Sequence, residues 1–121
     1  MVNIKFLFSL TFLSILFFSP AGAKENKLIV YTYDSFTSEW GPGPKIEKSF
    51  EKFCNCDLIF IGMDSSVGIL GRLKLEGKSS PADIILGLDT NLVSTAENSN
   101  LLVHHEVDFS NLSLPINWEN E

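Results

Sequence analysis

Residues 28–44 read LIVYTYDSFTSEWGPGP and contain the first predicted strand, its exit and the turn that follows. Its first four residues form an apolar run rich in β-branched and aromatic residues, which is typical of a buried strand. Small polar groups and aromatic rings follow, and Gly-Pro-Gly-Pro then turns the chain and prepares a helix start. In an open α/β sheet, ligands bind just beyond the carboxyl ends of the strands. The stretch therefore predicts a strand whose exit carries ligand-binding side chains.

The rest of the chain alternates strands and helices. The pattern predicts strands at 28–31, 57–61 and 82–86, helices at 44–53, 66–76 and 91–98, and a short strand at 101–103. Ile46, Phe50 and Phe53 fall at i, i+4 and i+7, which predicts the buried face of the first helix. Gly77 is expected to end the second helix. The order predicts an α/β fold with a three-layer βαβαβ parallel sheet and right-handed crossovers.

The first 23 residues have the three parts of a secretory signal peptide. Lys5 precedes an apolar run at 6–18, and residues 19–23 (SPAGA) supply an A-x-A cleavage site. The run is too short to span a bilayer. We expect cleavage after Ala23 and export, with an uncleaved membrane anchor as the alternative.

The charge of the mature chain excludes some partners. Loss of Lys5 lowers the basic count from 9 to 8 against 15 acidic residues, which gives a net charge of −7. An acidic chain without a Lys/Arg cluster argues against nucleic acid and against anionic lipid surfaces. The chain is long enough for one small domain with limited burial.

Three strand-to-helix turns are expected at one edge of the sheet, at 33–35, 64–66 and 88–90. Because the carboxyl ends of parallel strands share an edge, their side chains are expected to surround one ligand. Ser65 and Ser66 stand at a helix start, whose unpaired amides can hold a phosphate. The alternative is that one serine is simply the N-cap of that helix.

Aromatic rings and carboxylates complete this candidate site. Tyr33 and Trp40 can stack on a cationic ring system, or can serve in core packing and turn anchoring. Asp34 and Asp89 can balance a positive charge or cap the helices that follow them, and capping is favoured for Asp89. Asp64 lies in the second of the three turns.

Cys54-Asn55-Cys56 leaves its redox state open. A bridge across one intervening residue closes a small ring, and the usual C-x-x-C redox spacing is absent. A structural disulfide or a free pair is favoured over a redox pair. His104 and His105 have no cysteine or acidic residue at ligand spacing, so no metal site is expected.

The same residues resemble a known family. Residues 30–36 (VYTYDSF) and 40–44 (WGPGP) closely resemble the start of the mature periplasmic thiamine-binding proteins of ABC importers. The similarity continues through residues 54–56 (CNC), 73–78 (LKLEGK) and 82–89 (ADIILGLD). Members of that family are much longer, two-lobed proteins, so this chain resembles their first third.

The resemblance implies part of the first lobe of a type II periplasmic solute-binding protein, with residues 24–109 as a partial N-terminal lobe and 110–121 as an irregular, truncated tail. It implies a non-catalytic, monomeric periplasmic protein without a cofactor, which binds thiamine or its phosphates and delivers them to a membrane permease. The two serines of the second turn depart from the acidic residue and glycine that relatives often have there. The expected ligand-binding residues are Tyr33, Asp34, Trp40, Asp64, Ser65 and Ser66.

Three alternatives remain open at this point. A ferric-iron-binding protein of the same fold would use Tyr31 and Tyr33, which alternation places on one face of the strand. A small secreted thiol-redox protein would use Cys54 and Cys56. A gene remnant would have no function. If only one lobe is present, we expect weak ligand binding, because one wall cannot desolvate most of a ligand.

Overall fold

The structure, a computed structural model, describes residues 26–108, 110–111 and 113. Its elements are β1 (Lys27–Tyr33), α1 (Asp34–Thr37), α2 (Gly43–Cys54), β2 (Asp57–Met63), α3 (Ser66–Glu76), β3 (Ile84–Ile85) and α4 (Val93–Glu97), with 3-10 turns at Gly77–Ser79 and Thr90–Leu92. The expected signal peptide and most of the expected tail lie outside the described residues. In the described ranges, no helix is long and apolar enough to cross a membrane.

β1 is the central strand of a three-stranded parallel sheet with the order β2-β1-β3. It pairs along its whole length with β2, so that Tyr33 lies beside Met63 at the end of both strands. On the other side, Val30 lies beside Ile84 of β3. The predicted parallel α/β sheet is confirmed, and all three strands end at the same edge.

β3 is shorter than the strand expected at 82–86, since the ladder contains Ile84 and Ile85 alone. The residues on either side still bond to β1. The amide of Asp83 donates to the Ile29 carbonyl at 2.9 Å, and that of Leu86 donates to the Tyr31 carbonyl at 2.9 Å. These bonds hold the exit of β3 next to the exit of β1.

α3 covers one face of the sheet, and the core lies between them. Leu70 and Leu73 of α3 and Ala96 of α4 form a buried cluster, against which pack Ile85, Leu88, Leu92 and Leu101. The bounds predicted for α3 are confirmed, and Gly77 ends it with φ +57°, a backbone conformation that favours glycine. Residues 101–103, expected as a short strand, have no regular structure.

A cluster of polar side chains connects the last turn of α3 to β1 by hydrogen bonds. The buried Tyr31 hydroxyl donates to the Glu76 carboxylate at 2.8–2.9 Å, which also accepts from Ser80 Oγ at 2.6 Å and Arg72 Nε at 2.8 Å. The Arg72 guanidinium lies 4.6 Å from the centroid of the Tyr31 ring. The bonds from Ser80 and then Arg72 lower the pKa of Glu76 to about 2.

α2 matches the bounds expected for it to within one residue at each end, but not the face expected to be buried. Ile46, Phe50 and Phe53 are 42%, 37% and 86% exposed. The helix instead turns Glu51 toward the sheet, where its carboxylate accepts a hydrogen bond from the Leu58 amide at 3.1 Å. The prediction was wrong because helical spacing shows which residues share a face, not which face meets the sheet.

The turn from α2 to β2 contains a disulfide between Cys54 and Cys56. Asn55, between them, adopts the left-handed conformation at φ 51° and ends α2. Of the alternatives that the sequence left open, the structure therefore contains the disulfide.

Candidate functional site

The exits of β1 and β3 meet through Tyr33, whose hydroxyl donates a hydrogen bond to the Gly87 carbonyl. Gly87 has φ +98°, where a side chain is strained. A Cβ at this position would also collide with the Tyr33 ring. The ring therefore closes over the turn after β3 because residue 87 is glycine.

The start of α3 meets the same turn through Ser66. This residue is 4% exposed, and its Oγ donates to Oδ2 of Asp89 at 2.5 Å. Together with the Tyr33 contact, this bond joins the turns that follow all three strands. The convergence that parallel topology predicts is confirmed, with Asp89 as the residue that links the second and third turns.

Ser65 is the N-cap of α3. Its Oγ accepts a hydrogen bond from the Gly68 amide at 3.1 Å and donates to Oδ1 of Asp64 at 3.2 Å. Of the two roles considered for these serines, Ser65 is the N-cap of α3. The Ser66 hydroxyl instead donates a hydrogen bond to Asp89. The amides of Ser66 and Val67 precede the first intrahelical bonds, so they are the groups that this helix start offers to a ligand.

Asp34 begins α1 directly after β1, and its side chain is exposed. Gly62 of β2 lies against it, because a Cβ at residue 62 would be 3.0 Å from the Asp34 Cα. Asp89 makes no capping bond with its side chain to the turn that follows. The preference for Asp89 as a cap was therefore wrong, since its carboxylate accepts from Ser66 instead.

Trp40 stands in the turn between α1 and α2 and is 80% exposed. Core packing of this ring, one of the two interpretations considered, does not occur within the described residues. The structure thus brings Tyr33, Ser66 and Asp89 together and leaves the Trp40 ring open to solvent.

The edge is suited to binding a cationic or hydrogen-bonding solute. Three exposed carboxylates, those of Asp34, Asp64 and Asp89, lie in the turns that also carry the Tyr33 ring and the amides of α3. Carboxylates and an aromatic face both attract a positively charged ring. Among the described residues, no three His, Cys, Asp or Glu side chains converge as metal ligands.

The hydrogen bonds of Tyr31 and Tyr33 argue against the ferric-iron alternative, in which both would bind the metal. The Tyr31 hydroxyl is committed to Glu76, and burial, followed by this hydrogen bond, raises the pKa of Tyr31. A raised pKa disfavours the phenolate that a metal ligand requires. The Tyr33 hydroxyl is bonded to Gly87.

A groove of about 280 Å³ lies elsewhere, between α2 and β2, and Pro44, Glu47, Ile59 and Phe60 are among the residues that line it. None of the six residues expected to bind ligand lines this groove.

Sequence reasoning missed two features of this edge. It did not assign Gly87, although a glycine directly after a strand is a signal of close backbone approach. It also missed the bond from Ser66 to Asp89, for which the spacing of 23 residues gives no signal.

Curated relatives cover most of this chain. It is 43% identical over 115 residues to the thiamine-binding periplasmic protein of Brucella abortus, an alignment that covers 95% of this chain and 34% of the relative. It is 45% identical over 94 residues to the thiamine-binding periplasmic protein of Escherichia coli, covering 78% of this chain and 29% of the relative. The chain thus spans about a third of the length of these relatives. No family model matches the chain.

A solved structure of a periplasmic thiamin binding protein has the same fold. It matches with a TM-score of 0.74 and 43% sequence identity over 84% of this chain and 32% of that chain. These comparisons confirm the resemblance to thiamine-binding periplasmic proteins that residues 30–36 and 40–44 indicate.

Proposed function

We propose that this chain is the solute-binding component, or part of it, of a periplasmic thiamine importer, and that it catalyses no reaction. The observation that carries the proposal is the junction of three strand exits through the Ser66–Asp89 and Tyr33–Gly87 hydrogen bonds. Its support is the 42–45% identity to proteins named thiamine-binding and periplasmic. The ligand is thiamine or one of its phosphates, and the partner is the membrane permease of an ABC importer.

In this proposal the rings and carboxylates of the edge hold the thiazolium. The faces of Tyr33 and Trp40 stack on the cationic ring, and Asp34 and Asp64 balance its charge. Ser65 and Ser66 act through the helix start that they shape, whose free amides bind a hydroxyl or phosphate tail. The Ser66 hydroxyl is a positioning group, because it is occupied by Asp89.

We further propose that residues 24–109 correspond to part of the first lobe of a type II solute-binding protein and act as a monomer. The chain spans about a third of its relatives, so this edge supplies one wall of a binding site. One wall leaves much of a small ligand in water, and the affinity of this chain alone is therefore low.

Calorimetry on the chain purified from the periplasm tests this proposal. We expect thiamine to bind with an affinity weaker than micromolar, and Tyr33→Leu to weaken it further. Ser94→Ala, on the exposed side of α4, is the matched control and leaves the affinity unchanged. Parallel titrations with thiamine phosphate decide which form is preferred. Binding that Tyr33→Leu does not weaken would contradict the proposed site.

A further inference from the structure

We propose that the Cys54–Cys56 disulfide is an oxidation-dependent staple, which fixes the end of α2 on the outer edge of β2 after export. The proposal relies on the periplasmic location given above but on no ligand. It concerns the side of the molecule where α2 meets β2, and it assigns the cysteine pair a structural role that responds to the redox state.

Glu51 connects α2 to β2 by a hydrogen bond. Its carboxylate accepts from the Leu58 amide at 3.1 Å, and its backbone carbonyl accepts from the Asn55 amide at 3.2 Å. The disulfide closes the loop that contains Asn55, whose left-handed conformation directs the chain from α2 back into β2. Both bonds of Glu51 therefore depend on the geometry of the bridged turn.

α2 needs such a constraint because apolar burial holds it weakly. Its apolar residues Ile46, Phe50 and Phe53 are only partly covered or exposed, and Gly43 is the residue of the helix that is buried. Within the described sheet β2 is an edge strand, and an unpaired amide on an edge strand can form hydrogen bonds with a strand of another chain. The Leu58 amide donates to Glu51 and is therefore not available to pair with another strand. The disulfide holds Glu51 in position for this bond.

The bond forms by exchange with a protein disulfide. One cysteine thiolate attacks the disulfide of the oxidant and forms a mixed disulfide, and the second thiolate then attacks the cysteine sulfur of that mixed disulfide and releases the oxidant's thiolate. The chain loses two electrons and two protons, and the oxidant leaves as a dithiol. A periplasm supports this step, whereas a reducing cytosol opposes it.

Amide hydrogen exchange on the oxidised and the reduced chain tests the staple. The chain recovered from the periplasm is compared before and after treatment with a thiol reductant, with Cys54→Ser/Cys56→Ser as a reductant-independent control. Reduction is expected to speed exchange at Leu58 and Asn55 by on the order of tenfold, because the end of α2 then opens locally without unfolding of the core. Amides of Leu70 and Leu73, in the core, keep their exchange rates.

Each of the following results would overturn the proposal. Equal exchange at Leu58 in both states would show that the bridge holds nothing, and faster exchange at Leu70 as well would show a global effect. Two alkylatable thiols in the periplasmic chain, or a bond between two chains, would show that the staple does not form. Loss of thiamine binding without any of these changes, by contrast, would contradict the proposed function but would leave the proposed role of the disulfide intact.

Discussion

Ser66 and Asp89 are 23 residues apart in the chain, yet the Ser66 hydroxyl donates to the Asp89 carboxylate at 2.5 Å. The bond joins the start of α3, where Ser66 is buried, to the turn after β3, where Asp89 is exposed. A polar contact thus sets the distance between two turns that the proposed ligand would touch.

Removal of the Asp89 carboxylate is expected to destabilise the chain. Asp89→Ala leaves the buried Ser66 hydroxyl without its acceptor, at a cost of about 1–3 kcal/mol in the free energy of unfolding. Denaturant unfolding measures this cost, with Glu97→Ala in α4 as the control. Equal stability of the two variants would show that the Ser66 bond contributes nothing.

Gly87→Ala is expected to separate the exits of β1 and β3. The added Cβ meets the Tyr33 ring and the residue keeps φ near +98°, so the variant is destabilised by roughly 1–3 kcal/mol. In a Tyr33→Ala background the collision is absent, and the cost of Gly87→Ala falls to that of the backbone alone. A double-mutant cycle measures this difference, and additive effects would argue against the contact.

Stability is expected to fall in acid as Glu76 becomes protonated. Its pKa in the folded chain is lowered from 4.5 to about 2, so its contribution is complete above about pH 4.5 and is lost as the pH falls toward 2. Glu76→Gln removes this part of the pH dependence, whereas the exposed Glu97→Gln does not. Identical pH profiles for Glu76→Gln and the unaltered chain would contradict the Tyr31–Glu76 cluster.

The outward face of α2 predicts that Phe53 tolerates a polar residue. Phe53→Ser removes a side chain that is 86% exposed and is expected to change the free energy of unfolding by less than about 0.5 kcal/mol. Leu73→Ala, in the core, is expected to cost about 2–5 kcal/mol. Thermal or denaturant unfolding compares the two, and a comparable loss for Phe53→Ser would show that the helix buries its apolar face after all.

Much of the fold followed from local pattern, because β-branched runs and helical spacing act over a few residues. The bounds of α3 and the parallel sheet were predicted in this way. The face of α2 that meets the sheet was not predicted. The helix turns Glu51 rather than Phe50 toward the sheet because Glu51 accepts a hydrogen bond from the Leu58 amide, seven residues away.

The location of the candidate site could be predicted from the sequence, but the contacts between its residues could not. Parallel topology brings Tyr33 and Ser66 to one edge, and N-cap preference describes Ser65. The partners of Tyr33 and Ser66, which are Gly87 and Asp89, depend on packing between distant segments, and no spacing in the sequence encodes it.

Mapping amide chemical shifts during a titration with thiamine shows whether the three strand exits form one solute-binding edge. Benzyl alcohol, which has a ring and a hydroxyl but no charge, serves as the control ligand. We predict that thiamine shifts the amides of Asp34, Ser66, Val67 and Leu88 together, with one affinity, and that the control ligand does not. Shifts confined to the groove at Glu47 and Ile59, or absent from one of the three turns, would contradict this shared edge.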